Sequence, residues 1–430
     1  MNPFPMVLAD LRALRWTAPA IMLLVALAIA TGVAIGAQER ALRRGSAAAA
    51  NDFDLIIGAP GSQTQLLMSA VYVQPDALPL IDGRLINALV QDERVRHVAP
   101  IAFGDVSRGY PIIGTTADFA ARWGRITPSE GRLFAAQGEA VLGADVLYRL
   151  GDRIAPSHGV TGHGAKPGQA DAEEDRHRHA GEGYVAVGRL PRLGSPWDRA
   201  ILVPIESVWD IHGLGNGHAG EGGADAPFWH QGVAGAPQRP AERLGPPFDG
   251  QRVPGVPAIV VKPKSVAGAY ALRAQYRQGG TMAFFPAEVL VSLYGALGDV
   301  RDILVVASAS NAVLILASVV LVMVAVNSLR RRRYGTLRAL GAPRSFVLLV
   351  TWLGAAVPIA AGCALGLGLG VAATQALSGL VEARTGLSLS ASLGWGEFGQ
   401  AAGLCLLGSV IALVPALISA RRPVIASLRG

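Results

Sequence analysis

Seven of the eight histidines lie between His158 and His230. His158 and His163 stand in SHGVTGHG, and His177 and His179 in EEDRHRHAGEG beside Glu173, Glu174 and Asp175. His212, His218 and His230 follow in a second Gly-rich tract. Neutral imidazoles with carboxylates make an acceptable zinc ligand set, so His158, His163, His177 and His179 are candidate metal ligands. No C-x-x-C or H-x-x-x-H spacing fixes a geometry, and a solvated low-complexity loop has the same composition. Both readings stay open on the sequence.

A second group has a different chemistry. RRRRYGTLRALGAPRSFVLLV, from Arg330 to Val350, places six arginines and no acid between two apolar runs. Nothing there suits proton transfer or nucleophilic attack; the group suits a role in charge placement and contact. Elsewhere the chain lacks a GxxxxGK[ST] phosphate loop, a G-x-S-x-G elbow and an H-E-x-x-H helix. The expectation is a non-catalytic chain.

The elements that hold these groups follow from hydropathy. The chain of 430 residues is 51% hydrophobic and 16% charged, with a mean hydropathy of +0.37. Its apolar residues concentrate in four runs, at about Thr17–Ala37, Ile303–Leu329, Ser345–Gly379 and Phe398–Ala420. Each is long enough to cross a bilayer as a helix. The net charge of +7 sits mostly in the short segments flanking these runs. That pattern is a topology signal rather than a nucleic-acid footprint, so no nucleic-acid partner is expected. It puts both ends and the Arg330–Arg344 gap inside, and the long segment from Gln38 to Asp302 outside. Trp16, Trp352 and Trp395 fall near span ends, where indole favours the interface. An alternative for the first run is a cleaved signal peptide with Arg12 and Arg15 as its basic region. Cys363 and Cys405 both lie within spans, so the outer segment carries no disulfide framework.

That outer segment mixes patterns. Short β-like runs occur at Asp54–Gly58, Arg96–Phe103, Tyr110–Gly114, Gly183–Leu190, Ala200–Ile205 and Pro257–Val261. Helical spacing occurs at Gly143–Leu150, Ser265–Gln278 and Pro286–Leu297, the last continuing into the second span. The expectation is a large α+β extracytoplasmic domain between transmembrane helices 1 and 2. Two tracts, Ala155–Glu182 and His212–Gly250, have no sustained hydrophobic period and are expected as mobile loops. The domain plan is therefore 1–37 (amphipathic N-terminus and first span), 38–302 (outer domain) and 303–430 (three spans with the loop 330–344 between the first two).

The spans contain no ionisable side chain, which makes them a poor solute pathway on their own. Gly362, Gly366 and Gly370 form a small-residue ladder at four-residue spacing that admits a close neighbouring helix. Packing within this chain and contact with another subunit both remain open. Pro415 is expected to kink the fourth span.

Gly335, Leu337, Arg338, Ala339, Leu340, Gly341 and Ala342, directly between two spans, resemble the corresponding loop of FtsX/MacB/LolC-like ABC transporter permeases. A second match closes the chain: Pro415-Ala416, Ala420-Arg421-Arg422-Pro423-Val424, Ala426 and Leu428-Arg429. Asp54-Leu55-Ile56-Ile57-Gly58-Ala59 and Ser195-Pro196-Trp197-Asp198-Arg199 through Trp209 resemble the outer domain of a subgroup of such permeases. One departure stands out. Where the family commonly has an acidic residue, this chain has Arg333, followed by Tyr334.

The resemblance implies a mechanotransmission-type permease in a bacterial inner membrane with its large domain periplasmic. It implies a cytoplasmic ABC ATPase partner that carries ATP and Mg, a second permease copy or related permease, membrane lipid, and a periplasmic accessory protein. No cofactor belongs to this chain apart from the candidate zinc. Arg333, Tyr334, Gly335, Leu337, Arg338, Leu340 and Gly341 become the expected ATPase-coupling residues. Export, extraction or envelope handling of a substrate, in one version metal-linked, is the implied function. The alternative from another class is a non-transporting envelope receptor or metal-sensing membrane protein.

Overall fold

The computed structural model describes residues 2–13, 16–74, 76–157, 183–218, 243–249, 252–390 and 392–423. Its first helices are α1 (Phe4–Ala13), α2 (Thr17–Ala50), α3 (Gln63–Ala70), α4 (Arg84–Gln91), α5 (Ala117–Ala120) and α6 (Ile205–Ile211). They are followed by α7 (Val266–Tyr276), α8 (Pro286–Leu329), α9 (Arg331–Ala339), α10 (Arg344–Thr385), α11 (Trp395–Ile411) and α12 (Leu413–Arg421). Two compact units divide the chain. One comprises Met1–Arg44, Gly295–Val381 and Leu389–Gly430, the other Gly45–Tyr294 and Glu382–Ser388.

The first unit is the helical one. Among the described residues four stretches are long and apolar enough to cross a membrane: Thr17–Ala50, Asp302–Leu329, Arg344–Thr385 and Trp395–Arg421. In a bilayer every backbone donor and acceptor must be satisfied within the segment, which leaves helices as the form these runs can take. Their shared core contains Val25, Ile29 and Val33 of α2, Val319 and Met323 of α8, Ile359 and Cys363 of α10, and Ala401 of α11. Gly362, Gly366 and Gly370 of α10 face α2. A Cβ added there would lie 2.7 Å from the Met22 carbonyl oxygen, 2.6 Å from that of Ala26, and 2.7 Å from Val33 Cβ. The two helices therefore meet backbone to backbone.

Charge fastens both α2 and α11 beyond the apolar run. Arg40 pairs with the buried Glu397 at 2.5 Å, and Glu397 also accepts from the Gly394 amide at 2.8 Å, capping α11. Trp16 and Trp395 are exposed, as an interfacial indole would be. Trp352 instead packs within the bundle and donates to the Ser409 carbonyl at 2.8 Å. The fourth span breaks at Ala412, between α11 and α12, just before Pro415, whose ring cannot donate and crowds the preceding turn.

The second unit is built on a mixed ten-stranded sheet, with nine strands on one path in the order β10-β1-β9-β2-β3-β8-β5-β7-β4 and β6 pairing with β7. The strands are β1 (Leu55–Gly58), β2 (Val95–Ser107), β3 (Tyr110–Thr115), β4 (Glu130–Gly131), β5 (Glu139–Leu142), β6 (Arg153–Ile154), β7 (Tyr184–Arg189), β8 (Ile201–Pro204), β9 (Ala258–Pro263) and β10 (Met282–Phe284). Residues Val95–Ile101 of β2 pair antiparallel with β9 and Ala102–Ser107 with β3, with an irregularity inside each pairing, at Val95/His97 and at Phe103/Asp105. Pairs β3–β8 and β5–β7 are parallel. Such a bulge bends one long strand so that it serves two parts of a sheet. Ile86 and Leu89 of the amphipathic α4 are fully buried. The six β-like runs of the sequence coincide with β1, β2, β3, β7, β8 and β9; β4, β5, β6 and β10 are not among them.

Two expectations are corrected. Gly143–Leu150 is not helical. Arg189 of β7 donates to the carbonyls of Gly143 (3.3 Å), Val146 (2.8 Å) and Tyr148 (2.5 Å). The Gly143 and Asp145 amides bond to the carbonyls of Ala200 and Asp198. Long-range partners have taken the groups a helix would pair locally. In the second tract, Asn216, Gly217, His218, Gly245 and Phe248 are buried. Phe248 is 3% exposed and meets Trp209 edge-on at 5.1 Å. Its amide donates to Asn87 Oδ1 at 2.7 Å, and the Gly245 amide to buried Glu206 at 2.5 Å. One aromatic anchor supplies the burial that the tract's composition lacks. The first tract is held as far as Ser157 by a bridge to Val106, and 158–182 lie outside the described residues.

Because backbone, not a movable side chain, stands opposite Gly366, Gly366→Leu is expected to lower stability in detergent by about 1–3 kcal/mol. Gly368→Ala, whose Cβ meets nothing within 4 Å, should leave the melting temperature unchanged or slightly raised. Thermal unfolding of the two variants separates the cases; equal melting would remove the ladder from the packing account.

Candidate coupling site at the arginine-rich helix

Between Leu329 and Arg344 the open helix ends are met by caps and charge. Helix α8 ends at Leu329, Arg330 leaves helical geometry (φ −97, ψ 3), and α9 starts at Arg331. Gly341 ends α9 at φ +97. Its amide donates to the Arg338 carbonyl (3.1 Å) and that of Ala342 to the Leu337 carbonyl (3.0 Å). This is a Schellman closure, with Leu337 and Ala342 packed in the same apolar cluster as its hydrophobic contact. Gly341 therefore acts in the turn, where a side chain would be strained.

One face of α9 is turned inward. Tyr334 is 6% exposed and packs with Val7 of α1 and Phe346, Val347 and Val350 of α10; Leu337 packs against the same cluster. Gly335 is buried. Burial pushes the Tyr334 phenol above its ordinary pKa, and the charge of Asp10 adds to the effect.

Asp10 is the residue on which the arginines converge. Its side chain is 6% exposed, with Arg330 Nη1 2.9 Å from one carboxylate oxygen and Arg333 Nη1 2.9 Å from the other. Arg330 also donates through Nη2 to the Asp10 carbonyl at 3.1 Å. A buried carboxylate costs several kcal/mol to desolvate, and two guanidinium partners offset that cost. Arg338 is committed elsewhere: its Nη1 donates to the carbonyls of Ala420, at 3.4 Å, and Arg422. These are end carbonyls of α12 that its own turns leave open.

The opposite face of α9 points outward. Arg331, Arg332, Thr336 and Ala339 are exposed, and Leu340 is 81% exposed. Arg332, Thr336 and Leu340 share one stripe at four-residue spacing. Of the expected coupling residues, then, Arg333, Tyr334, Gly335, Leu337 and Arg338 face neighbouring elements within their own unit. Leu340 presents an apolar side chain outward, and Gly341 sets the turn. Asp10 was missed by sequence reasoning; its signal was being the only acid in the segment preceding the first span.

The other candidates are placed differently. His158, His163, His177 and His179 lie outside the described residues. Among the described residues no group of three or more His, Cys, Asp or Glu side chains is positioned to hold a metal ion. In the outer unit, Arg122 is 2% exposed and stacks over Phe119 and Trp197 at 4.6 and 4.7 Å. Burial pulls its pKa down to about 10 against the opposing pull of Asp52. Asp198 accepts from the Leu193 and Gly194 amides at 2.8 and 2.7 Å. These charges sit inside the fold and stabilise turns. Cys363 and Cys405 are free thiols.

Residues 305–425 match the family model described as FtsX-like permease C-terminal. Among solved structures, the chain is similar to the periplasmic region of MacB from Actinobacillus actinomycetemcomitans. That similarity has 10% identity, a TM-score of 0.30, and covers 56% of this chain and 92% of that one. It is also similar to the extracellular domain of the noncanonic ABC-type transporter YknZ from Gram-positive bacteria, at 10% identity and a TM-score of 0.29. There 54% of this chain and 98% of that one are covered. None of the curated proteins compared with the chain matches it.

Removing the shared carboxylate should loosen α1 from α9. Asp10→Asn is expected to cost about 2–3 kcal/mol, the lower part of the buried-pair range, because Arg333 remains half solvated. Faster proteolytic cleavage near the N-terminus and a lower melting temperature would report it. Combining Asp10→Asn with Arg333→Gln should recover part of the loss, since one stranded cation is then gone.

Proposed function

We propose, from the FtsX-like permease domain carried by residues 305–425, that this chain transmits force from a separate ATPase. It is a permease subunit of an ABC transporter with a large extracytoplasmic domain. In the proposed mechanism, ATP hydrolysis occurs on a cytoplasmic partner, and its movement is received at the outward stripe Arg332–Thr336–Leu340 of α9. The observation that carries this reading is the division of α9 into a fastened face and an exposed one. A contact surface fixed to the spans by Asp10, Tyr334 and the Gly341 turn transmits a push; a loose loop would absorb it.

Helix α8 runs unbroken through 44 residues, from Pro286 to Leu329, and contributes residues to both units. A displacement of α9 has this helix as its route to the outer domain. The absence of ionisable groups inside the spans supports handling of substrate at the outer domain rather than along a central polar path. We place the protein in a bacterial inner membrane, working with a second copy or a related permease, and with a periplasmic accessory protein. The substrate is exported, extracted or handled at the envelope. The four candidate zinc ligands His158, His163, His177 and His179 belong to this proposal as a metal-linked element of the outer domain.

Leu340→Asp tests the docking surface, since that side chain has no packing role to lose. Co-expression with the ATPase should show at least a tenfold drop in co-purified partner, with the melting temperature of the permease unchanged. Undiminished binding and hydrolysis would refute the coupling role of α9. For the metal, zinc titration of the full chain should show binding that disappears when the four histidines are replaced by alanine. Unchanged binding would remove them from the proposal.

A further inference from the structure

Beside the buried Tyr334 the helical unit has a narrow recess, open to the medium, lined by Asn327 of α8, Arg331 and Arg338 of α9, and Ser419 and Arg422 at the end of α12. Three guanidiniums line it, and among the described residues no carboxylate does. The nearby acid, Asp10, is already taken by Arg330 and Arg333. Asn327 Nδ2 is buried without a hydrogen-bond partner among the described residues, a donor that costs stability until it is met. Arg338 spends Nη1 on two backbone carbonyls, which holds its plane in place while leaving further donors on the fork. A positively lined recess with an amide donor and a hydroxyl is suited to a phosphate group.

The surroundings say which phosphate. Helices α8 and α12 both leave the apolar region beside the recess, and each continues away from it with exposed apolar side chains. Val324 and Leu321 follow Asn327 on α8 at three-residue steps; Ile418 and Val414 follow Arg422 on α12 at four-residue steps. Their exposures are 46%, 70%, 50% and 56%. A ligand filling this site would carry an anionic head and an acyl chain lying along the same two helices. We infer that the recess between α8, α9 and α12 binds the phosphate headgroup of an anionic phospholipid. The lipid would bridge the arginine-rich helix to the end of the fourth span. This inference does not depend on the proposed ATPase contact, which uses the opposite stripe of α9.

The test is native mass spectrometry of the full chain in detergent, titrated with dioleoyl phosphatidylglycerol, with dioleoyl phosphatidylcholine of identical acyl chains, or with inorganic phosphate. Phosphatidylglycerol should bind as one retained molecule at least tenfold more tightly than phosphatidylcholine. The double variant Arg331→Gln/Arg422→Gln should weaken it tenfold or more, and Asn327→Leu several-fold. Arg344→Gln, which removes one positive charge outside the recess, should change it less than twofold. Melting temperatures in phosphatidylcholine nanodiscs check that each variant is folded; if the double variant is not, Asn327→Leu against Arg344→Gln decides. Equal binding of the two lipids, or equal loss in Arg344→Gln, overturns the inference. So does an equal response to inorganic phosphate, which would make the site one for free anion. Retained lipid affinity in a double variant that no longer co-purifies with the ATPase would make the recess a protein-docking surface instead.

Discussion

In hydrocarbon, apolar side chains gain little by leaving lipid for one another, so helix association rests on close packing and on polar groups where the spans end. This protein meets that constraint through α2. Its middle lies against the glycines of α10, close enough that an added Cβ would strike carbonyl oxygens or Val33. Beyond the apolar run, Arg40 holds Glu397. The helix that precedes it, α1, is held to α9 through Asp10. Dispersion acts in the centre, and ion pairs act at the ends, where water and headgroups lower the cost of charge. The four spans can therefore stay free of ionisable side chains and still specify one arrangement.

The arginine cluster is resolved by the same logic into separate tasks. Arg330 and Arg333 neutralise one buried carboxylate, Arg338 caps the open carbonyls of α12, Arg331 lines the recess beside Asn327, and Arg332 is exposed on the stripe that carries Thr336 and Leu340. The acid that pairs with Arg333 comes from α1, which makes the N-terminal helix a structural partner of α9.

The outer unit follows different rules, because its core forms in water. Its long strand β2 carries two pairings, to β9 and to β3, with a register irregularity inside each. Arg189 organises the chain after β5 by collecting carbonyls, and Phe248 draws part of a Gly-rich tract into the core. In both places a single side chain distant in sequence determines backbone that has no strong preference of its own.

The sequence alone determined the four spans, their orientation signal, the mixed α+β character of the outer segment and the location of the arginine-rich helix. Those features depend on composition and period summed over many residues, and a bilayer or a sheet reads such sums directly. It also marked Gly341 and the glycine ladder, because absent side chains are visible as letters. Only the tertiary structure decided that the ladder faces α2, that Asp10 collects two arginines, and that Gly143–Leu150 is not helical. Only it separated the fastened face of α9 from the exposed one. Each of these turns on a partner hundreds or tens of residues away, and pairing energy at such separations leaves no local period to read.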